Sequence, residues 1–152
     1  SQGTLLPALL ARLLQHPFLD MEPPKSCGRS EFGTAWLDTL LEPGQSAVDV
    51  QATLLAFTAQ TLCDAVVRWC GEASELYVCG GGARNDALMR YITTALPSAT
   101  INTTDVLGLP SDWVEAIAFA WLAWRTTQGK PSNVPEATGA RGPRVLGAIY
   151  PA

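Results

Sequence analysis

The stretch that decides the fold is Glu75–Asp105, ELYVCGGGARNDALMRYITTALPSATINTTD. Residues 75–79 form a short apolar run that stops at Gly80-Gly81-Gly82. A run of this length before glycines reads as a buried strand rather than a piece of helix. Asn85 and Asp86 can cap a helix over 86–96, with Leu88, Met89, Ile92 and Leu96 inward and Pro97 ending it. Ala99 to Asn102 reads as a second strand, followed by Thr103-Thr104-Asp105 and a Gly/Pro loop. Strand, helix, strand predicts a parallel βαβ unit, because parallel strands need a crossover connection. Two strands are few for a sheet. The reading therefore favours an α/β fragment whose sheet is completed by another part of a longer polypeptide, over a mainly α chain.

Outward from this unit the pattern is helical. Residues 111–128 carry Trp113, Ala116, Ile117, Ala120, Trp121 and Trp124 on one stripe, with Phe119 and Leu122 elsewhere on the circumference. That predicts a helix buried on most sides, capped by Ser111 or Asp112 and ended by Gly129. Before the unit, a long helix is expected from Ser46–Asp49 to about Cys70, stopped by Gly71. Val50, Leu54, Phe57, Leu62, Val66 and Trp69 would be its core side. A short helix is expected over 34–42 with Thr34 as N-cap, and another over 4–15 with Pro7 in its first turn. The Pro/Gly-rich stretch between those two reads as a long loop, of the kind usually functional or disordered. The last 22 residues should be mostly irregular.

The chain has 152 residues, 47% hydrophobic and 16% charged, enough apolar material for the core of one domain. Ten Lys and Arg against 14 Asp and Glu give a net charge of −4, which argues against a general nucleic-acid binder. No uncharged apolar run approaches the ~18–20 residues of a membrane helix. The opening residues lack a basic start and a clear cleavage site, so no secretory signal is expected. Cys27, Cys63, Cys70 and Cys79 lack the spacing of a zinc site, and His16 is remote from them, so no metal site is expected. The last three cysteines read as small core residues in a reducing, cytoplasmic compartment.

Three stretches carry chemistry. Three consecutive glycines after a strand let the backbone approach a ligand, and their N–H groups with those of the next helix can face phosphate or ribose oxygens. A plain glycine turn is the competing reading, since neither a Walker loop nor a dinucleotide fingerprint is present. Glu115 sits in the first turn of a largely apolar helix, where a carboxylate is costly unless paired or used. Simple complementarity to the helix dipole would also account for it. Lys25, Ser26 and Arg29 around Gly28 suit an anionic group, or else form a solvated loop.

Taken together, PPKSCGRSEF (23–32), DVQATLLAFTAQ (49–60), LYVCGGGARNDALM (76–89), TTDVLGLPSDWVEAIAFAWLAWR (103–125) and TGARGPRVLGAIYP (138–151) resemble the C-terminal half of the anhydro-N-acetylmuramic acid kinases. Five motifs stand in the same order. One position departs, Cys27, where the family pattern has a small hydroxyl residue such as Thr. The resemblance implies an α/β lobe of ribonuclease-H type, as in actin and the heat-shock ATPases, with residues 1–152 the C-terminal portion of a two-domain sugar kinase. It implies that Gly80, Gly81, Gly82 and Asn85 lie on the adenosine side of ATP, that Glu115 holds the sugar, and that Asp105 lies in the substrate-side loop. It further implies Mg2+, 1,6-anhydro-N-acetylmuramic acid as substrate, and murein recycling in a bacterial cytoplasm. The Gly-Thr-Ser-Met-Asp-Gly type phosphate loop and the catalytic aspartate are not in this stretch, so the remaining part of the enzyme is an expected partner and the chain alone should be inactive. Other readings are a kinase for a different amino sugar, a nucleotide-binding or actin-like assembly module, and a purely structural helical domain. Trp121 and Trp124 suit an interface as well as a core, which leaves a homodimer open.

Overall fold

The computed structural model describes residues 3–28 and 30–150. In chain order the elements are α1 (Pro7–Leu13), α2 (Thr34–Asp38), α3 (Ala47–Trp69), β1 (Glu75–Val78), α4 (Asp86–Ala95), β2 (Thr100–Thr103), α5 (Val114–Thr127) and α6 (Pro135–Thr138). Short 3-10 turns lie at Pro17–Leu19, Gly81–Arg84 and Thr104–Leu107. β1 and β2 pair in parallel with α4 as the crossover, Leu76 opposite Ile101 and Val78 opposite Thr103. Among the described residues the sheet has these two strands, so the chain is a mostly helical α/β fragment.

Two apolar cores are threaded on α3. Its first half joins Val50 and Phe57 to Leu9 and Leu13 of α1. Its second half joins Ala59 and Cys63 to Ile92 and Leu96, with Leu76 and Ile101 of the strands packed against them. Each fully buried side chain of this size stabilises the fold by about 1.5–3 kcal/mol. By length and composition α3 is apolar enough to cross a membrane. Here its apolar side is occupied by α1 and α4.

Ser46 caps the start of α3 with its side chain. Ser46 Oγ accepts from the Asp49 N–H at 3.2 Å and donates to Asp49 Oδ2 at 2.8 Å. Asp49 Oδ1 also accepts from Thr4 N at 2.6 Å. One turn on, the buried Thr53 hydroxyl accepts from Leu6 N at 2.9 Å and donates to the Asp49 carbonyl at 2.7 Å. These bonds draw residues 4–6 away from helix, so α1 starts at Pro7 rather than residue 4. The N–H groups of Thr4 and Ser46's hydroxyl hold the Asp49 carboxyl below its ordinary range.

Several expectations need correction. The long loop after α1 is pinned by an aromatic cluster in which His16 lies 4.5 Å from Phe32 and 5.1 Å from Trp36, centroid to centroid. α2 stops at Asp38, and its N-cap is Gly33, not Thr34. The strands are half-buried rather than buried: Leu76 and Ile101 face the helices, and the alternate residues lie on a less covered face. Trp69 is exposed with the Arg68 guanidinium over its ring, and Cys70 and Cys79 are exposed as well. Only Cys63 of the three is in the core, where burial pushes its thiol up.

The largest departure is α5. No residue of it is buried: Trp113 and Phe119 are each 63% exposed, Trp124 52% and Trp121 47%. Neither Ser111 nor Asp112 caps it, and Trp113 stands at the N-cap without a side-chain bond. Both polar residues are engaged elsewhere, as the site shows.

Candidate functional site

The site is built where β1 ends. Gly80 takes φ +73°, a conformation that side chains rarely adopt, and turns the chain out of the strand. The Ala83 N–H then closes on the Gly80 carbonyl and the Asn85 N–H on the Gly82 carbonyl, both at 3.0 Å. Asn85 ends the turn as the cap of α4, its Oδ1 accepting from Ala87 N and Leu88 N at 3.1 Å each. These bonds set the local shape of the turn.

A second set of bonds ties this turn to the start of α5. The Gly80 N–H donates to the Ser111 carbonyl at 2.8 Å. The Ser111 N–H in turn donates to Asp105 Oδ1 at 3.3 Å, and Ser111 is buried. Hydrogen bonds from Thr103 and Ser111 hold the Asp105 carboxyl below its usual range. Arg84 and Asp112 close the far side as an ion pair. The residues that would have capped α5 thus fasten the glycine turn instead.

Between them lies a cleft of about 390 Å³ lined by Cys79, Gly80, Gly81, Ser111, Asp112 and Glu115, among others. A Cβ built on Gly80 or Gly81 would meet nothing within 4 Å, so these glycines present open backbone. Gly82 differs, since its Cβ would stand 3.5 Å from Leu88 and face α4. Glu115 is exposed, borders the same cleft and makes no hydrogen bond or ion pair with another described residue. Uncapped donors at the start of α5 and open glycine backbone offer N–H groups to a polar ligand, while Glu115 can accept from a hydroxyl.

Of the residues singled out by sequence, the structure brings Gly80, Gly81 and Glu115 onto one cleft. Asp105 is an exposed strut behind it, joined through Ser111. Asn85 stands at the edge, in an adjoining open cleft with Gly81, Arg84 and Arg90. Lys25 lies on a different cleft with Asp20, Asp64 and Arg68, its ammonium donating to the Phe18 and Leu19 carbonyls at 3.0 and 3.1 Å. Ser26 is exposed, and Arg29 lies outside the described residues. Two family-like motifs meet here all the same: Gly139 is close enough to Pro24 that a Cβ would stand 3.3 Å from its ring. Sequence reasoning missed Ser111 and the Arg84–Asp112 pair. Their signal was the polar cluster before α5, which reads equally well as a helix cap.

The model of the family described as anhydro-N-acetylmuramic acid kinase matches residues 1–152. The chain belongs to that family. An anhydro-N-acetylmuramic acid kinase of Thiobacillus denitrificans is 54% identical over 159 residues, covering 100% of this chain and 42% of the relative. Those of Nitrosospira multiformis and Chromobacterium violaceum are each 50% identical, covering 99% and 98% of this chain and 41% of each relative. The chain thus spans about two fifths of the length of the curated relatives it matches.

Proposed function

We propose that this chain is the C-terminal portion of an ATP-dependent kinase of 1,6-anhydro-N-acetylmuramic acid, working in the cytoplasm in the recycling of cell-wall sugar. The observation that supports it is the single cleft bordered both by open glycine backbone and by a free carboxylate, Glu115. The reaction consumes the anhydro sugar, water and ATP and yields N-acetylmuramic acid 6-phosphate and ADP. Water adds at C1 as the C1–O6 bond breaks, and O6 takes the γ-phosphoryl group. The aspartate that activates the water belongs to the rest of the longer protein, so this chain by itself is inactive.

The residues here fit a nucleotide. Gly80 and Gly81 leave space for its sugar and phosphate oxygens, and the adjoining cleft is lined by Arg90, Asp86 and Arg84, the last paired with Asp112. ATP supplies the phosphoryl group. Glu115 accepts a hydrogen bond from a sugar hydroxyl and fixes the acceptor, and the Asp105–Ser111–Gly80 strut ties the glycine turn to the start of α5. Rate then comes from positioning and charge stabilisation. Among the described residues no group of three His, Cys, Asp or Glu is placed to hold a metal ion. No Mg2+ ligand is assigned to this stretch, and the ion would accompany the nucleotide phosphates.

The fold belongs to the same reading. The two parallel strands are the end of a ribonuclease-H-like sheet whose other strands lie in the remaining part of the polypeptide, and the apolar side of α5 packs where that sheet continues.

ADP release by the full-length protein with Mg-ATP, with and without the anhydro sugar, tests this. Release that requires the anhydro sugar and yields a 6-phosphate supports it. Release with another amino sugar discards the substrate, and no sugar-dependent release favours a nucleotide-binding or assembly module.

A further inference from the structure

A separate cleft, of about 250 Å³, lies at the far end of α3. The end of α1, the loop after it and the last turns of α3 enclose it, with Asp20, Lys25, Asp64, Arg68 and Trp69 on its walls. Among the described residues none borders both this cleft and those at Gly81. The volume is that of about eight water molecules at ~30 Å³ each, the scale of one amino acid and small for a nucleotide.

The charges on its walls are of both signs and do not meet. Lys25 is half-buried, and its ammonium lies over the Phe18 ring and donates to the Phe18 and Leu19 carbonyls. One of its three hydrogens remains. Asp64 and Arg68 stand one turn apart on α3, the spacing at which an acid and a base ordinarily pair. They do not pair: the Arg68 guanidinium is drawn over Trp69, 4.6 Å from the ring centre, and makes no hydrogen bond to another described residue. The Asp20 and Asp64 carboxylates likewise make no hydrogen bond or ion pair with another described residue.

Two held cations and two free carboxylates around one small space discriminate among ligands. A simple anion meets the carboxylates, a simple cation meets Lys25 and Arg68, and a neutral molecule answers none of them. A ligand carrying both charges close together answers all four. Leu14, Leu19 and Trp69 add apolar surface to the same walls, against which an aliphatic side chain leaves water. We propose that this cleft binds a free α-amino acid with an apolar side chain, its ammonium taken by Asp20 and Asp64 and its carboxylate by Arg68 and Lys25. The site stands independently of the kinase reading.

The test is calorimetric titration of the full-length protein with L-leucine, isocaproate and isoamylamine. Isocaproate is leucine without its ammonium, and isoamylamine is leucine without its carboxylate. L-leucine should bind, and each of the other two should bind about tenfold more weakly or worse, having lost a charged hydrogen-bonding group. Asp64→Asn and Arg68→Gln lie at exposed positions of α3 and should melt like the wild type. Each should weaken L-leucine by about ten- to a hundredfold. A wild type that does not bind L-leucine overturns the proposal, as does one that binds isocaproate or isoamylamine equally well. Unchanged L-leucine affinity in either folded variant overturns it too, leaving four solvated surface charges. Should a variant fail to fold, the three compounds compared on the wild type decide by themselves.

Discussion

α3 and α5 are the two longest helices, both apolar, both with an acidic residue in the first turn, and they have opposite fates. α3 has six buried residues and α5 has none. Asp49 of α3 is enclosed in a box with Ser46 and Thr4, whereas Glu115 of α5 is unpaired at the edge of a cleft. One helix end is closed by its own chain, so its carboxylate is structural. The other is left open beside Gly80 and Gly81, with its polar neighbours Ser111 and Asp112 holding the glycine turn. α5 keeps its apolar stripe exposed among the described residues, and a carboxylate's role is decided by whether its own chain has satisfied it.

The sharpest way to break this contrast is to truncate an aromatic in each helix of the full-length protein. Phe57→Ala should cost about 3–5 kcal/mol in denaturant unfolding. Trp121→Ala should cost a similar amount if the rest of the polypeptide covers α5. A change within about 0.5 kcal/mol, the usual surface value, would show that α5 stays uncovered.

At the closed end, Thr53→Val should destabilise by about 1–3 kcal/mol, because the half-buried Leu6 N–H loses its acceptor. Asp49 should show itself in the acid limb of stability. Its folded pKa lies below the ordinary aspartate value. The contribution is therefore complete above the unfolded value and is lost as pH falls through the folded one. Asp49→Asn should flatten that limb of an unfolding titration, and an unaltered limb would remove Asp49 from the account.

At the open end, stability and binding should separate. A side chain at Gly81 meets no protein atom, so Gly81→Val should melt like the wild type yet bind ATP more weakly. Unchanged affinity would take the glycine turn out of the site. The smallest effect is expected of Arg84→Ala, since an exposed ion pair contributes within about 1 kcal/mol. A larger loss would make the pair a principal fastening of the turn.

How much of this was legible in the sequence follows from range. The glycine turn, the Asn85 cap and the Gly71 stop depend on neighbours within a few residues and formed where the pattern placed them, and the order strand, helix, strand sufficed to indicate the parallel pairing of β1 with β2. Glu115 and the glycines were nominated separately, and the fold placed Glu115, Gly80 and Gly81 on one cleft while Gly82 faces α4. What escaped was long-range. The pairing of Arg84 with Asp112 and of Gly80 with Ser111 cannot be read from spacing. The exposure of α5, Trp69, Cys70 and Cys79 depends on what packs against them. α1 starts later than its pattern because bonds from α3 hold residues 4 and 6, and α2 ends at Asp38, short of the Pro43-Gly44 stop that its pattern runs to.

The central claim is that Glu115 faces a ligand in the same cleft as the glycine turn. Steady-state kinetics of the full-length protein and Glu115→Ala, varying the anhydro sugar at saturating Mg-ATP and then the reverse, tests it most directly. The account predicts a sharp fall in kcat/KM for the sugar with the KM for ATP little changed. Sugar kinetics like those of the wild type would contradict it, leaving Glu115 a helix-end charge and nothing more.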